Sequence, residues 1–216
     1  MELDKRARRG VTLIEAVLFI SIALGLIVGG LVFFQQASLA ARTNDAVRSL
    51  SSIASETRAA YRTQDSFAGL NAGVLIASGA VPSSQTVADA DSLTAGDQPG
   101  IVNEWNQPVL IVPSAGTLPA FPTATGVADR FFEITYSNIP EAACTRLATA
   151  SDGNGPIGPG IVAVRVVDSA TSPVTTPAGS ATNFNLTGAV NITPAQAATA
   201  CGNGTDPVDV IWTLTR

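Results

Sequence analysis

The chain has 216 residues, a net charge of −5, two cysteines and no histidine. This length accommodates one domain and a long helix. The acidic balance argues against non-specific binding of nucleic acid by a single copy, and the lack of histidine and of a cysteine cluster argues against a transition-metal site of the usual kind.

A charged leader precedes a long apolar run at the N-terminus. Residues 1–9 carry four basic and two acidic side chains, Gly10 follows, and residues 11–34 hold a single ionisable side chain, Glu15. Positive charge before an apolar run orients the leader towards the cytoplasm. A carboxylate in hydrocarbon is costly unless it is paired or protonated, so Glu15 is expected to have a specific role.

Three kinds of N-terminal segment fit some of this pattern. A secretory signal has a shorter apolar core followed by its cleavage site, whereas this run is about 23 residues long and Gly10 precedes it. A plain transmembrane anchor fits the length but explains neither Glu15 nor the boundary at Gly10. The arrangement resembles the class III signal of type IV prepilins, which accounts for the length, the carboxylate and the boundary together.

The prepilin resemblance assigns roles to three residues. It implies that a prepilin peptidase cleaves after Gly10, that the new N-terminus at Val11 is methylated, and that Glu15 helps to dock the subunit into a growing filament. Cleavage would remove four of the 12 basic and two of the 17 acidic residues, which changes the net charge from −5 to −7.

The N-terminal helix is expected to continue beyond the apolar run. Residues 35–62 contain no proline or glycine, and apolar residues recur there at helical spacing. The pattern predicts one helix of about 50 residues, roughly 75 Å long, with a protruding apolar first half and an amphipathic second half on a globular domain. Gly25 and Gly29 allow close helix approach and, with Gly30, are candidates for a weak point, although glycine is also common in membrane helices.

The remaining residues predict a small α+β head. Residues 67–79 have helical spacing, and residues 83–100 form a polar loop whose three aspartates do not have the spacing of an EF-hand. Short apolar or alternating runs bounded by turn residues predict strands at 108–112, 130–136, 161–167 and 208–214. Two short helices are expected at 140–150 and 194–200.

Two isolated cysteines, Cys144 and Cys201, lie in or beside these two short helices. In an exported domain such a pair favours one disulfide, and the alternative is two buried free thiols. A bridge would close a loop of about 58 residues, worth roughly 4 kcal/mol in the chain-entropy model. It would join a helix to the segment before the last strand.

Three segments of the head resemble the type IVb pilins related to those of thin conjugative pili and to toxin-coregulated-type pilins. Asn103-Glu104-Trp105-Asn106 is similar to their Asn-x-Trp turn, and Asn138-Ile139-Pro140 before the helical Cys144 is similar to their Asn-Val/Ile-Pro segment. The run from Pro194 to Cys201 with the terminal strand is similar to their C-terminal end. The chain departs from that class in its short leader of about ten residues.

The resemblance implies a complete organisation for the chain. Residues 1–10 are expected to be the leader, 11–34 the membrane-spanning and polymerising half of the first helix, 35–62 its amphipathic half, and 63–216 the globular head. The fold expected is a long N-terminal helix packed against an antiparallel sheet with short helices and one disulfide. The precursor is expected in the bacterial inner membrane with a periplasmic head, and the mature chain in an extracellular pilus.

The function expected is structural rather than enzymatic. The sequence has no histidine for a catalytic triad and no glycine-rich phosphate loop, and no cofactor or metal is expected. The expected partners are other copies of the chain in a helical filament, a prepilin peptidase, and an assembly ATPase with its inner-membrane platform. The alternatives are a minor pilin acting as a tip adhesin and a pseudopilin of a type II secretion system.

Overall fold

A computed structural model describes residues 12–87, 100–114, 130–151, 157, 160–168, 181–185, 192–202 and 207–215. The leader, Gly10 and Val11 lie outside the described residues, as do the three aspartates of the polar loop.

The first element is the long helix α1, Leu13–Ala60, as the sequence predicts. The chain divides after Ala40 into two compact units, so that α1 contributes to both. In the second unit, the buried side chains of α1 recur every three or four residues, as expected of an amphipathic helix that packs on a core. These buried residues are Thr43, Ala46, Ser49, Leu50, Ile53, Ala54 and Thr57.

The head is built on one antiparallel sheet whose seven described strands run in the order β1-β2-β3-β4-β7-β5-β6. The C-terminal strand therefore lies in the middle of the sheet, between two strands that precede it in the chain. The strands are β1 Thr86–Val87, β2 Gly100–Val102, β3 Pro108–Ser114, β4 Phe131–Ile139, β5 Ile161–Asp168, β6 Ala181–Asn185 and β7 Val208–Leu214.

Three short α-helices and one turn of 3-10 helix complete the described elements: α2 Ala72–Ala77, the 3-10 turn Ser83–Gln85, α3 Glu141–Thr149 and α4 Pro194–Cys201. The helices α3 and α4 and strands β3, β4, β5 and β7 confirm the sequence-based predictions to within a few residues. The helix predicted at 67–79 is too long. Gly69 has a φ of 80° and Asn71 caps the helix by accepting a hydrogen bond from the Val74 amide, so α2 begins only at Ala72.

One face of the sheet forms the core of the head. The register aligns Ile134 with Trp212 and Trp212 with Val164, and all three side chains are completely buried. The second half of α1 lies on this same face, because the Tyr136 hydroxyl reaches Ser49 Oγ at 3.4 Å and the Arg58 guanidinium lies 6.0 Å from the centre of the Phe132 ring. Helix α3 lies there too, since the Trp212 indole donates a hydrogen bond to Ser151, just beyond its end.

Candidate functional site

The first half of α1 has an exposed apolar surface, which we call the apolar segment (residues 13–34). Fifteen large hydrophobic side chains in it are each more than half exposed, from Leu13 to Phe34. The mean hydropathy of its most apolar window is 2.8, and none of that window is buried. Among the described residues, α1 is the one helix long and apolar enough to cross a membrane. A soluble monomer rarely exposes so much apolar surface, so this segment requires a partner.

Glu15, the ionisable residue of the apolar segment, lies in the first turn of α1. Its backbone amide donates to Thr12 Oγ1 at 3.4 Å, and the Ala16 amide donates to the Thr12 carbonyl at 3.1 Å. Thr12 therefore occupies the capping position. A carboxylate one turn into a helix interacts favourably with the partial positive charge of that end. The side chain of Glu15 remains exposed.

The three glycines of the apolar segment are not required by the packing of a single chain. A Cβ atom added at Gly25, Gly29 or Gly30 would meet no atom of the described residues within 4 Å. Their effect therefore lies in the flexibility of the helix or in its contact with another helix.

The cysteines form one disulfide that joins the two short helices of the head. Cys144 in α3 and Cys201 at the end of α4 are bonded and buried, which confirms the predicted pairing. Helix α4 is positioned by a capping box, in which the Thr193 side chain accepts from the Gln196 amide while the Gln196 side chain accepts from the Thr193 amide. Pro194 occupies its first turn. The two helices and the bridge thus form one unit ahead of the central strand β7.

The Asn-x-Trp segment forms the tight turn between β2 and β3. Asn103 Oδ1 accepts from the amides of Trp105 and Gln107, at 3.0 Å each, and Asn103 Nδ2 donates to the Ser137 carbonyl at 3.0 Å. Asn106 has a φ of 60°, a conformation that asparagine tolerates better than most residues. The buried Asn103 side chain therefore holds the turn and ties it to β4.

A cavity of about 690 Å³ lies between α1 and this turn, and we call it the Glu104 cavity. At its base Ser49 Oγ donates to Gln85 Oε1 at 2.8 Å, and Gln85 Nε2 donates to Glu104 Oε1 at 2.6 Å. The other carboxylate oxygen, Glu104 Oε2, is buried and has no hydrogen-bond partner among the described residues. The lining residues are Arg42, Asp45, Arg48, Ser49, Ser52, Pro82, Ser84, Gln85, Val102, Asn103, Glu104 and Asn106.

The electrostatics of the Glu104 cavity disfavour the carboxylate anion. Burial raises the pKa of Glu104, the nearby charge of Asp45 raises it further, and the hydrogen bonds from its own amide and from Gln85 oppose the shift. Sequence reasoning placed Glu104 only inside a turn motif. It missed the cavity because Ser49, Gln85 and Glu104 come from three separate segments.

Comparison with known proteins agrees with this structure. The model of the family described as "PilS N terminal" matches residues 40–215. Two curated relatives, each named major structural subunit of bundle-forming pilus, come from Escherichia coli O111:H- and from Escherichia coli O127:H6 (strain E2348/69 / EPEC). Each is 27% identical over 201 residues, which covers 93% of this chain and 91% of the relative.

A solved structure with the same fold is the type IV b pilin from Salmonella typhi. It superposes with a TM-score of 0.53 at 18% identity and covers 80% of this chain and 99% of its own. The long N-terminal helix, antiparallel sheet and single disulfide predicted for a type IVb pilin are therefore confirmed. The chain belongs to the PilS N-terminal family, and its fold is that of the type IVb pilins.

Proposed function

We propose that the chain is the structural subunit of a type IVb pilus and that it polymerises through the first half of α1. The observation that carries the proposal is the apolar segment, in which fifteen large side chains are exposed on a single helix. Membership of the PilS N-terminal family and the names of the two curated relatives support the same function.

The partner of the apolar segment changes during assembly. Before assembly it is the hydrocarbon of the inner membrane, since about 20 apolar residues span a bilayer. In the filament it is the same segment of other copies, packed helix against helix. Lipid contacts are as apolar as the contacts that replace them, so burial alone does not drive extraction. An assembly ATPase and its membrane platform supply the work.

Processing at the N-terminus prepares the subunit for this exchange. The prepilin peptidase removes residues 1–10 after Gly10, and Val11 becomes the methylated N-terminus. Helix α1 begins at Leu13, two residues later. The positive amine at Val11 then pairs with Glu15 of a neighbouring subunit, and such a pair offsets its desolvation only when its geometry is good. The capping by Thr12 supports this role because it holds the start of the helix in a defined conformation.

The proposed organisation follows from these roles. Residues 1–10 are the leader, 11–34 the polymerising half of α1, 35–62 its second half, and 63–216 the head. The leader faces the cytoplasm because of its basic residues, and the head faces the periplasm, an oxidising compartment in which the Cys144–Cys201 bridge forms. A major subunit is favoured over a tip adhesin or a pseudopilin because both curated relatives are named major structural subunits.

Substitution of Glu15 tests the assembly mechanism. We expect Glu15→Ala to be processed at Gly10, to remain in the membrane and to form few or no filaments, whereas Glu15→Asp, which keeps the charge, retains partial assembly. Processing is followed by N-terminal mass analysis and assembly by electron microscopy. Normal numbers of filaments from Glu15→Ala would limit the role of Glu15 to peptidase recognition or to its interaction with the helix end.

A further inference from the structure

The Glu104 cavity holds a carboxylate without a cationic partner. Glu104 Oε2 is buried and accepts no hydrogen bond, and no ion pair involves Glu104 among the described residues. Two arginines line the same cavity. Arg42 is exposed and forms no ion pair with the described residues, and Arg48 pairs with Asp45 at 3.6 Å in an ion pair whose two side chains are mostly exposed. A half-buried carboxylate of this kind is stabilised by a cation that brings hydrogen-bond donors into the cavity.

The chemistry of the chain limits the source of such a cation within a filament. Its single lysine is Lys5, in the leader, so that arginine is the cationic side chain available to the mature subunit. Arg62, Arg130 and Arg146 lie outside the cavity, are exposed, and form no ion pair with the described residues. Each of the three is a candidate by charge alone.

Position in the fold distinguishes Arg146, which lies in α3, from Arg62, which follows the end of α1, and from Arg130, which precedes β4. The cavity lies beside β2 at one side of the core-bearing sheet face, whereas α3 lies on the same face over β7, beyond β4. The second half of α1 packs on β4 through Tyr136 and Phe132, so that the cavity and α3 lie on opposite sides of this contact in the order of the sheet. When subunits repeat around a helical axis with their α1 helices side by side, one side of each head meets the opposite side of the next, which is a heterologous contact. The disulfide holds α3 rigidly for such a contact.

We infer that the Glu104 cavity receives the Arg146 side chain of an adjacent copy of this chain, and that this pair joins neighbouring heads in the filament. The inference rests on the proposed polymerisation. Arginine suits the cavity because its planar guanidinium donates to a carboxylate and to neighbouring acceptors at once.

Zero-length cross-linking tests this contact directly. Arg146→Lys places the one lysine of the mature chain at this position, and a carbodiimide then joins it to a carboxylate in contact. Peptide mass spectrometry of intact filaments is expected to find residue 146 linked to Glu104, or to Asp45, which also lines the cavity. Filaments of the matched variants Arg62→Lys and Arg130→Lys should lack a link to Glu104. The Arg146→Lys subunit dispersed in detergent should lack it as well.

A second measurement separates this contact from the folding of the head. Glu104→Gln keeps the acceptor for Gln85 but removes the charge, so the isolated subunit should be at least as stable as wild type while its filaments dissociate about tenfold faster at moderate salt. Arg146→Gln should have the same effect on filaments, and Arg62→Gln should not.

Two results would overturn the inference. They are Arg146→Lys filaments without the link to the cavity, and Glu104→Gln filaments that dissociate at the wild-type rate. In both cases filaments are present, so the proposed function would stand. Absence of any filament made from the wild-type chain would instead remove the proposed function together with this contact.

Discussion

Asn103 shows how one buried side chain determines a local conformation. Its amide forms three hydrogen bonds, two of them to the backbone of its own turn and one to β4. The amide therefore provides partners for two partly buried backbone donors of the turn and for one backbone acceptor in β4. These bonds give a structural reason for asparagine at the first position of the Asn-x-Trp turn.

We expect Asn103→Ala to lower the free energy of unfolding by about 2–3 kcal/mol, because it leaves these backbone groups unsatisfied. Thermal or urea unfolding of the full chain in detergent measures the loss. The matched control is Asn106→Gly in the same turn, where φ is 60° and glycine is conformationally free. A loss no larger than that of this control would show that the hydrogen bonds of Asn103 do not stabilise the head.

The stability of the folded head depends on pH through Glu104, and the direction of this dependence follows from its pKa. Its pKa is raised in the folded state by burial and by Asp45, so the folded state binds this proton more tightly than the unfolded state. The resulting stability is fully present below the usual carboxyl pKa of about 4.3 and is lost as the pH rises through the raised pKa of the folded state.

The glutamine of Glu104→Gln cannot ionise, so this substitution should remove the pH-dependent part of the stability that comes from Glu104. We expect its advantage in unfolding temperature over wild type to grow as the pH is raised from about 4 to about 7. The comparison is made on dispersed subunits, with Asp45→Asn as a control in which Glu104 still titrates. An advantage that does not change with pH would contradict the account of this carboxylate.

At the scale of elements, the sequence predicts the helices and strands whose own residues carry the pattern of that element. Helix α1 follows from an apolar run that continues into residues 35–62, which contain no proline or glycine. Strands β3, β4, β5 and β7 follow from apolar or alternating runs bounded by turn residues. The sequence-based predictions missed β1, β2 and β6. The first two have only two and three residues, and the pattern of β6, Ala181–Asn185, is mostly small and polar, so pairing with a neighbour rather than its own pattern makes each a strand.

The same distinction applies to the candidate sites. The apolar segment, Glu15 and the cysteines are visible in the sequence because each depends on composition or on residue type. The Glu104 cavity depends on contacts between residues 36 and 19 positions apart, Ser49 with Gln85 and Gln85 with Glu104. Only the packing of α1 against the sheet brings these residues together.

Helices α3 and α4 depend on their disulfide as a unit. We expect Cys201→Ser to lower the free energy of unfolding of the head by about 2–4 kcal/mol, since it frees a loop with a sequence separation of 57. Urea unfolding without reductant measures the change, and subunit levels in cells should fall with it. Cys144→Ser is the matched control and should be equally destabilised. Wild-type stability in either variant would show that the bridge does not support the head.

At the scale of the whole molecule, the chain has two units with different relations to solvent. The first, up to Ala40, exposes its apolar side chains, and the second, from Ala41, buries its own within a core. Substitutions of the buried apolar residues of the second unit should therefore act through folding. Substitutions in the apolar segment should act through assembly, because the single subunit makes no core contacts there.

Analysis of filaments sheared from cells tests the central claim most directly. The account predicts that a deletion strain lacks a class of surface filaments, that the wild-type gene restores them, and that mass spectrometry of the purified filaments finds this chain as their main component, starting at a methylated Val11. Surface filaments that are unchanged in the deletion strain, or filaments in which the chain still starts at Met1, would contradict it.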